Sequence, residues 1–165
     1  MGIRVSAGIL LYRRRGDGIE VLLGHPGGPY FTNKGDGHWS IPKGEPDPGE
    51  VEAGVDLRAV ARREFAEETG SPVPGGLDDL RALGEITQKG GKRVVAWAAE
   101  GDLDPAAAQS NLFRVEWPPR SGRFADYPEF DEVAWLSPNE ARRRIKETQI
   151  PFIDRLESAL AEKVD

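Results

Sequence analysis

The chain has 165 residues, no cysteine and a formal net charge of −6. The lack of cysteine excludes disulfide bonds, thiolate metal sites and cysteine nucleophiles, and it suits a reducing compartment, so we expect a cytoplasmic protein. The negative net charge argues against broad binding to nucleic acid, which depends on a basic surface. No apolar run is long enough for a membrane helix, and the length predicts one domain over residues 1–165. The sequence leaves the oligomeric state open.

The first third of the chain is predicted to form a hairpin and a long loop. Aliphatic residues, many of them β-branched, dominate Ile3 to Tyr12 and Ile19 to Leu23, and the stretch from Arg15 to Gly18 between them is typical of a turn. Gly24 to Gly37 then holds five glycines and two prolines, which predicts a functional or mobile loop. A short strand is expected over His38 to Ile41.

The rest of the chain mixes strands and helices without strict alternation. A helix is predicted from Asp56 to Thr69, ended by Gly70, because glycine adopts the left-handed conformation of a helix cap at least cost. The remaining predicted elements are strands at Leu83 to Gln88, Arg93 to Ala99, Leu112 to Trp117 and Glu132 to Leu136, an irregular segment at Pro118 to Pro128, and helices that follow Ser137 and run from Pro151 to Glu162. This pattern predicts an α+β fold with a mixed sheet between helices.

Three glutamates continue the apolar stripe of the predicted central helix. At about 100° per residue, Glu64, Glu67 and Glu68 fall on the arc that begins with Val60 and Ala61. Carboxylates turned toward the protein body are destabilising unless a positive charge lies beside them. An all-oxygen cluster of this kind favours hard cations such as Mg²⁺ or Mn²⁺. The alternative is a solvent-exposed acidic helix end neutralised by arginines of the same helix, and periodicity alone does not separate the two.

The residues around this helix form a motif with a fixed order. A strand runs into a glycine turn at Ser40 to Glu45, and Arg63 to Gly70 has the order Arg-Glu-Phe-Ala-Glu-Glu-Thr-Gly. Together with Gly44 and Glu50, this resembles the sequence box of the Nudix hydrolases: Gly, five residues, Glu, seven residues, Arg-Glu, an apolar residue, any residue, Glu-Glu, any residue, Gly. Twelve residues separate Glu50 from Arg63 where the box has seven, so we interpret Val51 to Val55 as an insertion before the helix.

The resemblance covers most of the chain and implies the Nudix fold, an α/β/α sandwich with a central mixed sheet. It implies metal ligands at Gly44, Glu64, Glu67 and Glu68, catalytic roles for Glu64 and Glu67, and structural roles for Glu50, Arg63 and Gly70. The ions expected there are one to three Mg²⁺ or Mn²⁺, which reduce the repulsion between phosphate oxygens and a nucleophile.

The implied activity is attack by water on a phosphoanhydride in a nucleoside diphosphate linked to another moiety. A nucleoside triphosphate or a dinucleoside polyphosphate is the first expectation, so the expected partner is a small-molecule nucleotide.

The sequence offers several candidates for the other functional roles, each with a structural alternative. The candidate phosphate-binding residues are Lys43, Lys89, Lys92 and Arg93, which could equally be solvated loop charges. The general base would be Glu64 or an acid on a later loop, where Glu100, Glu116 and Glu129 are candidates. Phe31, Tyr127 and Phe130 lie in or beside loops and could stack on a base, whereas Trp97, Trp117 and Trp135 are expected in the core.

A second hypothesis is a catalytically weak binding or regulatory module with the Nudix fold. The insertion before the helix makes it possible, because that segment could displace Glu50 from Arg63. The retained glutamates argue against it, since carboxylates without a metal ion only destabilise the helix.

Overall fold

The computed structural model describes residues 4–162, in which a mixed sheet lies between helices. The sheet contains β1 (Val5–Arg15), β2 (Gly18–Pro26), β3 (Lys43–Gly44), β4 (Arg81–Thr87), β5 (Arg93–Glu100) and β8 (Phe130–Leu136). Two further strands, β6 (Leu112–Glu116) and β7 (Phe124–Pro128), form a separate antiparallel ribbon. The strand order in the sheet is β4-β5-β1-β2-β8, with β3 beside the first part of β1. Only β1 and β5 run parallel among these pairs in residues 4–162.

Three α-helices cover the two faces of the sheet: α1 (Leu57–Thr69), α2 (Pro138–Arg144) and α3 (Ile150–Ala161). Alternate residues of a strand point to opposite faces, and β1 therefore contributes to two cores. Ile9 and Leu11 pack with Phe65 under α1, whereas Leu10 packs with Phe152 in the core under α2 and α3. This is the α+β fold with a central mixed sheet that the sequence predicts. Within residues 4–162, none of the helices has the length and apolar character needed to cross a bilayer.

The central helix α1 ends as the sequence predicts and begins one residue later. Asp56 is the N-cap, because its side chain accepts a hydrogen bond from the Arg58 backbone N–H over 2.9 Å. Gly70 is the C-cap, with φ of 78° in the left-handed region. Glu67 and Glu68 lie at the negative end of the helix dipole. The last turn contains no basic residue that would neutralise them. Within the helix, the basic residue that approaches Glu67 is Arg63, one turn earlier and 3.7 Å away.

The predicted first hairpin is confirmed, with longer strands than expected. Arg15 pairs with Gly18 across the turn, and the predicted start at Ile3 lies outside the described residues. The prediction of a loop from Gly24 is wrong for its first three residues, because β2 continues to Pro26. They pair with the distant strand β8, a partner that local sequence does not reveal.

The predicted strand over His38 to Ile41 is also wrong. Ser40 forms a single antiparallel bridge with Gly24, and Trp39 a single parallel bridge with Ile145. Because neighbouring residues bridge to two different segments, no continuous ladder forms, and the strand begins only at Lys43.

The segment from Pro118 to Pro128 is not irregular throughout. Its second half is β7, whose Phe124 pairs with Glu116 of β6. The ribbon strands are short and largely exposed, so they lack the apolar alternation that identifies a strand from sequence.

Candidate metal and phosphate site

The predicted box residues meet at one end of the sheet, where β3 runs beside β1 under α1. Gly44 pairs with Ala7 of β1, and the carboxylate of Glu64 lies directly against it. A Cβ added at Gly44 would lie 2.1 Å from the Glu64 Cδ and 2.2 Å from its Oε2. Glycine is therefore required here for as long as Glu64 keeps this position, and the main chain of the turn adjoins a mostly buried carboxylate.

Arg63 remains paired with Glu50 despite the insertion. Its Nη1 donates to Glu50 Oε1 over 2.8 Å, and its Nη2 donates to Glu64 Oε1 over 3.3 Å. Residues 51–55 fold into a compact turn, in which the Val55 N–H donates to the Glu50 carbonyl oxygen. Because the turn closes on Glu50, the extra residues project outward, and Glu50 stays beside the arginine. The pKa of Glu50 lies below its usual value, chiefly because its carboxylate accepts the hydrogen bond from Arg63.

Glu68 is the most deeply buried of the three glutamates, with 7% of its surface exposed. Burial raises its pKa to about 9, and the nearby charge of Glu64 adds to the shift. The positive charge of Lys43 opposes this shift. The pKa of Lys43 itself is lowered to about 8, mainly by burial and then by the positive charge of Lys92. The raised pKa of Glu68 and the lowered pKa of Lys43 both mean that burial disfavours the charged form of the side chain. The charges at this place are therefore incompletely compensated.

Glu129, which follows the ribbon, faces the same group. Burial raises the pKa of Glu129, and the charge of Lys43 opposes this shift. Its backbone N–H donates to the Asn111 carbonyl oxygen, and the Asn111 N–H donates to the carbonyl oxygen of Glu67. The ribbon is thus anchored to the last turn of α1, which brings Glu129 to the site.

The arrangement fits a divalent cation in its donor types, although the side chains are not gathered around one point. Glu64 interacts unfavourably with both Glu67 and Glu68, so a cation between them would remove repulsion. The side chain of Glu67 is 43% exposed, and its Oε1 lies 3.7 Å from Arg63 Nε. Within residues 4–162, no group of three or more acidic or histidine side chains is already arranged to hold a metal ion. Glu67 would have to turn away from Arg63 to join a ligand set.

The predicted phosphate-binding residues occupy different places. Lys43 lies in the site beside Glu68. Lys92 Nζ lies 3.7 Å from Glu45 Oε2 at its edge. The guanidinium of Arg93 is held by Glu85, with Nη1 3.3 Å from the carboxylate, and it therefore faces along the hairpin.

Two of the predicted bases lie away from the site. Glu100 pairs with Arg14, 3.3 Å away, and Glu116 accepts a hydrogen bond from the Gly122 N–H within the ribbon. Glu64 and Glu129 are the candidates that the structure brings into the site.

The aromatic predictions need two corrections. Phe130 is buried in the core under α1 and has no free face for a base. Trp117, expected in the core, is 38% exposed and contacts Tyr30 edge to face, with ring centroids 5.0 Å apart. It is displaced from the core because the ribbon leaves the sheet.

Sequence reasoning missed Lys146, which follows α2. Its backbone N–H donates to the Trp39 carbonyl oxygen over 2.9 Å, and its charge lowers the pKa of Lys43. No local pattern marks it, since it comes close to Lys43 only through the bridge between Trp39 and Ile145.

The fold and the box geometry together define the class of protein. The family model described as NUDIX domain matches residues 2–156, and the chain belongs to the Nudix family. This family generally uses divalent metal ions and points to a hydrolase. No curated protein matches the sequence.

Three of the solved structures with the same fold come from different organisms. A C. elegans Ap4A hydrolase, in a binary complex, is 23% identical with a TM-score of 0.65, over 97% of this chain and 99% of that chain. A MutT protein from Methanosarcina mazei Go1 is 20% identical with a TM-score of 0.59, over 96% and 95%. The NUDIX domain of Shewanella oneidensis NrtR, complexed with ADP ribose, is 15% identical with a TM-score of 0.65, over 97% and 90%. At these identities the likeness shows the fold alone.

Proposed function

We propose that this protein hydrolyses a phosphoanhydride bond in a nucleoside diphosphate linked to another moiety, with Mg²⁺ or Mn²⁺ as the cofactor. A nucleoside triphosphate or a dinucleoside polyphosphate is the substrate that we favour. The observation that carries the proposal is the contact between Gly44 and Glu64 beside the buried Glu68. Two crowded carboxylates next to a main-chain turn are unfavourable on their own and are stabilised by a hard cation.

Gly44, Glu64, Glu67 and Glu68 would hold the divalent ions. When bound, these ions supply electrostatic stabilisation of the phosphate charge. Arg63 keeps Glu64 in place while Glu50 holds Arg63. Through this chain of contacts, Glu50 positions a ligand without touching the substrate.

Lys43 is suited to bind a phosphate oxygen, because its ammonium lies among acids that would be engaged by cations. Glu64 and Glu129 are the two candidates for accepting the proton of the attacking water. Burial raises the pKa of Glu129 despite the charge of Lys43, and a carboxylate with a raised pKa is a better proton acceptor than a solvated one.

The alternative is a nucleotide-binding module without turnover, and one observation favours it. The side chains of the box are not arranged as a ligand set within residues 4–162, and Glu67 is engaged by Arg63. If that arrangement persists with nucleotide bound, the domain would bind without hydrolysing.

A substrate panel tests the proposal against this alternative. Nucleoside triphosphates, diadenosine polyphosphates, ADP-ribose and nucleotide sugars are incubated with the protein and Mg²⁺ or Mn²⁺, and the products are separated by ion-exchange chromatography. We expect hydrolysis of at least one compound, abolished by a chelator and restored by excess metal ion. Tight binding of one compound with no product from any of them would establish the binding module instead.

A further inference from the structure

A cleft of about 510 Å³ lies between the second hairpin and the segment that joins α2 to α3. Lys89 of the hairpin and Lys146 of the joining segment line it, together with Gln88, Ile145 and Glu147. Its volume falls in the range of sites for small molecules. The cleft is separate from the carboxylates of α1, none of which lines it.

Lys146 connects this cleft to the proposed site. It lines the cleft, and its charge acts on Lys43, which in turn acts on Glu68. The positive charge of Lys92 lowers the pKa of both Lys43 and Lys146. The bridge between Trp39 and Ile145 places Lys146 beside the segment that runs on to Lys43. These two residues and Lys92 are defined here as the lysine cluster: Lys43, Lys92 and Lys146.

The lysine cluster has little internal compensation. Within residues 4–162, neither Lys146 nor Lys89 has a carboxylate oxygen within 4.0 Å of its ammonium, and Lys92 reaches only Glu45, at 3.7 Å. Lys146 is half-buried, and its pKa is lowered first by burial and then by Lys92. Like charges gathered out of water are unfavourable, and they create a strong local potential for an anion.

The lining of the cleft also indicates the kind of anion. No aromatic side chain of residues 4–162 lines it, so it offers no stacking platform for a nucleobase. Its two other cations, Arg142 and Arg143, are engaged by acids of the helices. The uncompensated groups are thus flexible ammonium groups, which bind phosphates as point charges.

We propose that the cleft binds the phosphate chain of the substrate beyond the hydrolysed bond, with Lys146 as the residue that selects for it. This inference rests on the proposed function and deepens it. The moiety linked to the nucleoside diphosphate consists of one or more phosphates, as in a nucleoside tri- or tetraphosphate, and is not a neutral sugar. Lys43 contacts the phosphates at the hydrolysed bond, and Lys146 contacts the distal ones.

The kinetic test compares two nucleotide classes in matched variants. Lys146→Met removes the charge and keeps the length of the side chain, Lys146→Arg keeps the charge, and Arg14→Met removes one exposed charge at the far end of the first hairpin. For a nucleoside tetraphosphate, we expect Lys146→Met to raise KM about tenfold, the loss of one charge-assisted contact, with kcat little changed. Lys146→Arg should retain most of the affinity, and Arg14→Met should match the wild type. A nucleoside diphosphate sugar, tested as a competitor of the tetraphosphate, should have the same inhibition constant in all four proteins.

A binding measurement separates this inference from the proposed function. Inorganic tripolyphosphate is titrated calorimetrically into the metal-free protein at low and high salt. We expect binding that weakens with salt and with Lys146→Met or Lys89→Ala, the latter at an exposed position where the fold is not at risk. If the wild type hydrolyses nucleotides but these variants change neither tripolyphosphate binding nor the KM for the tetraphosphate, the cleft is not a phosphate subsite. If no nucleotide is hydrolysed while tripolyphosphate binding still depends on Lys146, the proposed function fails and the anion site stands.

Discussion

The substitution Gly44→Ala should misplace the carboxylate of Glu64 with little effect on the fold. The new Cβ would lie 2.1 Å from the Glu64 Cδ, whereas ordinary van der Waals contact begins at 3.4 Å. The carboxyl carbon therefore has to withdraw by about 1.3 Å, the difference between these two distances, and a misplacement of about 1 Å in an active site costs about 100-fold in rate. We expect kcat for the best substrate of the panel to fall by about that factor.

Stability should respond much less, because only the end of a flexible side chain has to move. An altered rotamer costs about 1 kcal/mol, which urea unfolding in the presence of a chelator can measure. The matched control is Gly18→Ala, where the nearest atom to the new Cβ is the Arg15 carbonyl oxygen at 4.0 Å. Full activity in Gly44→Ala, or a loss explained entirely by unfolded protein, would refute the argument that Glu64 works from its place against Gly44.

Three further predictions concern the glutamates of the box. Glu67→Gln should lower kcat by about 100-fold or more. Its thermal midpoint in chelator should be unchanged or higher, since a repelling charge is removed, whereas Glu52→Gln at an exposed position should alter neither quantity. Full turnover in Glu67→Gln would remove Glu67 from the ligand set. Glu50→Gln should raise the Mg²⁺ concentration for half-maximal activity, because a released Arg63 competes with the cation for Glu64 and Glu67; an unchanged metal titration would contradict this role. In the folded protein the pKa of Glu68 is about 9, well above its ordinary value of 4.5. Stability in chelator should therefore fall as pH rises from 5 to 8. The lowered pKa of Lys43, about 8, adds a rise in stability only above that window. Measured by urea unfolding, the free energy of unfolding of Glu68→Gln should rise relative to that of the wild type by about 1.4 kcal/mol per pH unit. A difference between the two proteins that does not change with pH would show that Glu68 is ionised in the folded state.

Features set by neighbouring residues could be predicted from the sequence. The helix from Leu57 to Thr69 follows from its periodicity and from the capping glycine, and the first hairpin follows from alternation and a turn. The inward direction of Glu64 and Glu68 also follows from the angle between residues of a helix. The same rule placed Glu67 on that arc, but its side chain is 43% exposed and its Oε1 lies 3.7 Å from Arg63 Nε, one helical turn earlier.

Features that depend on distant pairing could not be predicted. The chain from Gly24 to Pro26 is a strand only because β8 lies beside it, and Phe130 is buried because β8 enters the sheet there. Glu129 reaches the site through main-chain hydrogen bonds between the ribbon and α1. Lys146 approaches Lys43 across the bridge at Trp39. None of these contacts has a local sequence pattern, so the sequence indicates the box glutamates and most of the lysines of the site but not Lys146.

The most direct test of the central claim is to locate manganese in the protein. Crystals soaked in MnCl₂, with diffraction data collected at the manganese absorption edge, report the ion by its anomalous signal. We predict a peak between the carboxylates of Glu64 and Glu68 and the Gly44 carbonyl oxygen, with Glu67 turned away from Arg63 to face it. No peak at that position, with Glu67 still paired to Arg63 and Glu68 uncoordinated beside Lys43, would contradict the account.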